Sequence, residues 1–401
     1  MDYTHLFSSD TGSFFRSPVR DIFRRVDLNA IYSFAGGYPS ADTFPLEDFR
    51  RLMSEVIDEV GAKAFQYGAT QGVTELREVL SSRYGVPVER IQITSSSQQG
   101  IDVCTRVLVD PGDVILTSNP SYLGALQSFR SYRADVRGVG YGPDPDEFEA
   151  AYRMAADKAV SEGKRLKFIY SIPDFQNPSG ETLPLEHRRR LVETARRYGM
   201  LIVEDSPYRE LRYEGQDVPS IYSIAPDITL HLGSFSKIMA PGFRLGWIFA
   251  HPDLLDKIYV CKQSLDLCPP VFDQYVAARF VADGSLDRNL SKSIALYKGK
   301  RDVLLEMLEQ TKPHDTDGED IRWTHPEGGL FVFLKLPESF DSVKFYDVAL
   351  DAGVAYVAGS FFHPDGSGRN TMRLNFSFMT EQRIREGIRL LSSLIRKELH
   401  L

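Results

Sequence analysis

The chain has 401 residues, 42% of them hydrophobic and 25% charged, with a formal net charge of −8. That length exceeds one small core and implies two domains with ample burial. The acidic balance argues against a general nucleic-acid binder, and no apolar run approaches the roughly 18–20 residues of a membrane span.

The N-terminal MDYTHLFSSDTG lacks a basic stretch followed by an apolar one, so no secretory signal is visible. Three cysteines without a C-x-x-C pairing point to reduced thiols in the cytoplasm, with Cys104 in the core. Residues 1–44 read as an arm, with a helical patch at SPVRDIFRRV and a Gly36-Gly37 pair that permits close backbone approach. Apolar spacing of three and four predicts a helix over 46–60. The loop AFQYGATQG, holding Tyr67, and a helix over 73–84 follow.

From residue 91 short apolar runs alternate with longer amphipathic ones. Strands are expected at 91–94, 113–118, 166–173, 200–205, 228–235 and 245–250, with helices between them, among them 99–109 and 184–198. This alternation predicts an α/β domain over 45–283, with a mostly parallel sheet flanked by helices. Beyond it come a long helix at 287–310 and the polar loop QTKPHDTDGED. A strand in EGGLFVFLKLP, a helix near 341–352, and strands at VAYVAGSFF and TMRLNFSF follow. The last helix starts near Thr380, with Ile384, Ile388, Leu391 and Ile395 on one side. Residues 284–401 thus read as a smaller α+β domain.

Polar punctuation follows each of the first five strands: SSSQQG, NPSYLG, DFQNPSG, DSPY and SFSK. Ligands in open α/β sheets sit beyond the carboxyl ends of the strands, so the five clusters are expected to share one crevice. In GSFSKIMAPGFRLG a buried Lys237 would lose its proton and attack carbonyls. Ser234, Ser236 and Arg244 would seat a phosphate dianion, joined by Ser97 and Gln98 ahead of the helix at 99–109. An amine beside a phosphate seat suits pyridoxal 5'-phosphate (PLP); taken alone, S-x-S-K also describes an ordinary surface lysine. Asp205 ends an apolar strand and needs a partner, which a pyridinium nitrogen would supply; capping of the next helix is the alternative. Tyr208 and Asn177 could reach the cofactor's phenolic oxygen, and the Tyr122 ring could stack on it. Arg373, amid apolar strand residues, fits a bidentate clamp on an α-carboxylate or a structural salt bridge.

With these residues in place the chain resembles the fold-type I, class I/II PLP-dependent aminotransferases, closest to the 2-aminoadipate/kynurenine aminotransferase branch. SSSQQG, FQNPSG, VEDSPYRELRY, SFSKIMAPGFRLGW and RNTMRLNFS carry the likeness. It implies that Lys237 holds PLP covalently and moves the substrate's Cα proton, that Asp205 pairs with the pyridine nitrogen, and that Asn177 and Tyr208 bind the phenolic oxygen. It further implies Tyr122 on the ring, and Ser97, Gln98, Ser234, Ser236 and Arg244 on the phosphate. Tyr67 would reach the phosphate of a neighbouring subunit in a homodimer. Arg373, with Gly37 close by, would bind the α-carboxylate, and Arg20 in the arm a distal one. Ser96 stands where the family usually has glycine, and Tyr38 where leucine is common; both bear on substrate identity. The implied reaction is ping-pong transfer of an amino group from an L-amino acid, such as 2-aminoadipate, glutamate, or an aromatic or aliphatic one, to a 2-oxo acid, with no metal. Two other readings are a PLP enzyme of elimination, cyclisation or oxidation on the same scaffold, and a ligand-sensing regulator. The regulators carry a basic winged-helix segment that residues 1–44 lack.

Overall fold

Successive residues of the expected strands point to opposite faces, and both sets are apolar. Ile115, Phe168, Tyr170 and Val203 belong to one buried cluster, whereas Val114, Leu116, Ile169 and Ile202 belong to another. A strand apolar on both faces must lie between two layers. The computed structural model, which describes residues 3–8, 11–12, 27, 30–312 and 321–401, has that arrangement. One face is covered by helices that include Ser96–Leu108 and Leu123–Ser131, whose Phe129 packs on Phe168 and Tyr170. The other is covered by Pro145–Ser161 and Leu185–Arg197.

The sheet has seven strands, in the order Ile91–Thr94, Gly246–Phe249, Thr229–Ser234, Leu201–Asp205, Leu166–Ser171, Val114–Asn119, Asp135–Gly140. Gly246–Phe249 runs antiparallel to both neighbours and the remaining pairs are parallel. The parallel strands therefore point their carboxyl ends the same way, and the loops after them gather at one edge.

Three local expectations change. The strand Asp135–Gly140 was not anticipated: it is an edge strand with only Val139 buried, so its sequence shows no apolar run. The helix expected from 99 begins at Ser96, which places Ser97 and Gln98 in its first turn. The single strand expected in VAYVAGSFF is split. Val354–Ala355 pairs in parallel with Tyr32–Ser33, Val357–Ala358 pairs antiparallel with Thr371–Asn375, and a 3-10 turn covers Gly359–Phe362.

The second large sheet has four antiparallel strands, ordered Val357–Ala358, Thr371–Asn375, Phe331–Lys335, Arg322–Trp323. The 27-residue helix Ser285–Thr311 packs along Glu381–Glu398, whose buried face carries Ile384, Ile388, Leu391 and Ile395. That long helix also anchors the chain entering the site. Tyr297 accepts from the Ser40 amide at 3.0 Å, and Lys300 Nζ donates to Ser40 Oγ at 3.1 Å. Arg20 lies outside the described residues. Among the described residues no helix is long and apolar enough to cross a membrane.

Candidate active site

The strand-end loops and the second sheet enclose a cavity of about 1300 Å³. Its lining contains residues from all five polar clusters, from the segment after Phe34, and Arg373.

Asp205 closes the strand Leu201–Asp205 and is buried. Tyr170, on the neighbouring strand, donates its hydroxyl to Asp205 Oδ2 at 2.8 Å. The other oxygen, Oδ1, is buried with no hydrogen-bond partner among the described residues. Burial pushes the carboxyl up from 3.8 to about 6, against the opposing pull of the Tyr170 bond, of His231 and of the nearby Ser97 hydroxyl, which falls short of a formed hydrogen bond to Oδ1. A buried carboxylate oxygen short of a partner is a receptor for a cation or a protonated nitrogen.

Lys237 follows the strand Thr229–Ser234, and its Nζ donates to the Gly37 carbonyl at 2.7 Å. Its pKa is lowered from 10.5 to about 8, first by desolvation and then by the charges of Arg244 and Arg373. An amine tuned to that value is neutral often enough near neutral pH to act as nucleophile or base.

The polar end of the cavity is formed by Ser96, Ser97 and Gln98 with Ser234, Ser236 and Arg244. Ser234 Oγ accepts from the Ser236 amide at 3.2 Å, and Arg244 reaches Ser236 Oγ at 3.5 Å and Ser96 Oγ at 2.6 Å. Hydroxyls, a guanidinium and the first turn of a helix make an anion seat. Tyr122 bridges this end to the middle, donating to Gln98 Oε1 at 3.2 Å. A Cβ on Gly124 would lie 2.6 Å from the Tyr122 ring, so that ring position requires glycine there.

At the opposite side Arg373 is buried between two phenyl rings, 4.3 Å from the centroid of Phe331 and 5.0 Å from that of Phe362. Nη1 donates to Asn177 Oδ1 at 2.7 Å and Nη2 to the Ala35 carbonyl at 2.6 Å, while the buried Nε has no partner among the described residues. Desolvation lowers its pKa to about 10, so it remains a cation at neutral pH. No carboxylate bonds to it among the described residues, which sets aside the structural salt bridge. Tyr208 is buried edge-on to Phe331, with ring centroids 5.7 Å apart, and its phenol is raised above the ordinary value chiefly by desolvation. Gly37 and Tyr38 complete this wall; a Cβ on Gly37 would lie 3.0 Å from Phe331.

Every candidate among the described residues lines this cavity except Tyr67, which stands 80% exposed outside it. Sequence reasoning missed Tyr170, which sits in an apolar strand and reads as core. The one available signal is that a buried tyrosine hydroxyl needs an acceptor. It also missed the phenyl pair around Arg373, because Phe331 reaches it across the strand pairing and Phe362 from a 3-10 turn, neither of which is a local signal.

The residues present fit a phosphorylated pyridine aldehyde. The unpaired Asp205 oxygen suits a protonated ring nitrogen, the serine and arginine end a phosphate, and Lys237 the aldehyde. The chain matches the family aminotransferase class I and II over residues 35–391 and belongs to it, with the fold-type I architecture and PLP as cofactor. It is similar to aromatic-amino-acid aminotransferase 1 of Thermococcus litoralis, 41% identical over 100% of this chain and 96% of that one. Kynurenine aminotransferase of Pyrococcus horikoshii, solved in complex with PMP, superposes with a TM-score of 0.93 at 39% identity, over 99% of this chain and 98% of that chain. The α-aminoadipate aminotransferase LysN of Thermus thermophilus, solved with a phosphopyridoxyl-leucine adduct, gives a TM-score of 0.89 at 33% identity, over 100% and 99% of the two chains.

Proposed function

We propose that this aminotransferase moves the amino group of an L-amino acid to a 2-oxo acid by a ping-pong cycle, in a homodimer whose sites draw on both copies. The observation that carries the reading is the juxtaposition, in one cavity, of an amine lowered to about 8 and a buried carboxylate oxygen without a partner. PLP supplies an electrophilic aldehyde and an electron-withdrawing ring.

Neutral Lys237 would hold the aldehyde, and its amine would take up and give back the proton at the donor's α-carbon. Ionised Asp205 would keep the ring nitrogen protonated, with Tyr170 holding its second oxygen in place. Asn177 and Tyr208 would donate to the phenolic oxygen, Tyr122 would cover the ring face, and Ser97, Gln98, Ser234, Ser236 and Arg244 would hold the phosphate. Arg373 presents its fork to the α-carboxylate, stiffened by the rings on either side. Exposed Tyr67 reaches the phosphate of the second copy. The stacked pair beside it supports an interface there: Phe65, 66% exposed, lies 5.3 Å from Phe272. Residues 45–283 and 284–401 would act as large and small domains, with 1–44 as an N-terminal arm.

The donors we propose are acidic, 2-aminoadipate or glutamate, together with aromatic and aliphatic amino acids that the Tyr38 wall admits. Arg20 would take the distal carboxylate, so Arg20→Ala should weaken acidic donors about tenfold while leucine and phenylalanine are little changed. Equal losses for all donors would remove that assignment. The reaction itself is tested by adding a donor without a 2-oxo acid. One equivalent of oxo acid per site, matched by one of pyridoxamine phosphate, is expected. Continued turnover without an acceptor would overturn transamination.

A further inference from the structure

Ser96 and Arg244 are non-glycine residues in the left-handed backbone region, with φ of 70° and 50°, and they are bonded to each other. That region is unfavourable for residues with a side chain. Such residues persist where their surroundings fix them, and they concentrate at ligand sites.

The surroundings that fix Ser96 are visible. It is buried, its carbonyl accepts from Thr94 Oγ1 at 3.0 Å, and its backbone lies so close to Gly246 that a Cβ there would approach it to 2.7 Å. Its side chain lines the polar end of the cavity, where Oγ accepts from Arg244 Nη2 at 2.6 Å. The other contacts of that guanidinium are longer: Pro241 O at 3.1 Å and Ser236 Oγ at 3.5 Å, both from Nη1. A hydroxyl that accepts from a guanidinium keeps its own hydrogen to donate elsewhere. Arg244 is itself exposed, so a fixed partner decides where its flexible side chain rests.

We propose that Ser96 is a positioning residue of the phosphate seat: its hydroxyl fixes the Arg244 guanidinium toward the anion and offers one further donor. This rests on the reading that Arg244 and the neighbouring serines hold the phosphate of PLP. Binding of the phosphate ester should then depend on the hydroxyl, and binding of the same ring without phosphate should not.

The test is titration of the full-length apoenzyme with PLP and, separately, with pyridoxal, for wild type, Ser96→Ala, Ser96→Gly, Arg244→Ala and the Ser96→Ala/Arg244→Ala double variant. Ser96→Ala should raise the PLP Kd about tenfold, the scale of one hydrogen bond to a charged group, and leave that of pyridoxal unchanged. In the Arg244→Ala background the same change should cost clearly less than about tenfold, since only the direct donor is then lost and the positioning role is already gone. Ser96→Gly, which suits the left-handed backbone, should repeat the loss for PLP and covers the case in which the alanine variant folds poorly. An unchanged PLP Kd in Ser96→Gly, an equal loss for pyridoxal, or full additivity with Arg244→Ala would overturn the proposal. If Arg244→Ala keeps the full preference for PLP over pyridoxal, the phosphate-seat reading fails instead.

Discussion

The two walls of the cavity are built differently. The sheet wall places Asp205, Asn177, Lys237 and the serines at or just beyond the ends of strands buried on both faces, so packing on either side fixes them. The facing wall is a length of irregular chain, residues 34–40, tied down by donors from three other elements. Arg373 holds the Ala35 carbonyl, Lys237 that of Gly37, Ser377 Oγ that of Tyr38, and Lys300 the Ser40 hydroxyl. Two of those ties come from the residues proposed to bind cofactor and substrate. The sheet wall is thus held by strand pairing and packing on both faces, whereas the facing wall, though largely buried, owes part of its hold to bonds that a ligand would compete for. Changes in the first should act on cofactor chemistry, and changes in the second on the amino acid.

The largest effect is expected at the junction. Lys237→Ala should lower turnover by at least about 10³-fold and abolish the adduct that borohydride fixes on that peptide; an undiminished adduct would break the assignment. Next, on the sheet wall, Asp205→Asn should cost about 10²-fold in turnover. The Asp205 carboxyl, about 6 in the fold against an ordinary 3.8, contributes stability to the apoenzyme that is present below about 4 and lost as pH rises through 6. Denaturant unfolding between pH 4 and 7 should show that fall, on the order of 2–3 kcal/mol, in wild type and not in Asp205→Asn. At the clasp on the facing wall, Arg373→Lys should raise KM for donors about 10–100-fold with PLP affinity unchanged; a parallel loss of PLP affinity would erase the distinction between the walls. Because the Lys237 ammonium is lowered to about 8, capture of PLP by the apoenzyme should accelerate with pH and reach half its maximum near 8, which stopped-flow absorbance would follow. The smallest effect is expected from Tyr170→Phe, about tenfold in turnover, the low end for one hydrogen bond to a charged group, because Tyr170 touches the carboxylate and not the substrate.

Much of the sheet wall was legible because its signals are local. An apolar run of strand length ending in a carboxylate, or followed by hydroxyls and a lysine, states both an element and its polar tip. The edge strand Asp135–Gly140 was not legible, since only Val139 is buried and its pattern shows no apolar run. Tyr170 was hidden for the opposite reason: its ring is core, and only the neighbouring strand reveals that its hydroxyl serves Asp205. The Ser96 backbone could not be read either, because its left-handed turn is imposed by the close approach of Gly246 from a strand 150 residues away.

The sequence by itself determined the alternation of strands and helices, the cluster of polar residues after each strand, and the chemical types that a phosphorylated aldehyde requires. Periodicity and residue chemistry are properties of short stretches, and short stretches carry them without help. Only the tertiary structure decided which carboxylate oxygen lacks a partner, how far the lysine amine is lowered, and that the entering chain is clasped by Lys237 and Arg373. Those outcomes depend on desolvation and on distances between segments remote in the chain, which exist once the two sheets and the long helix have packed.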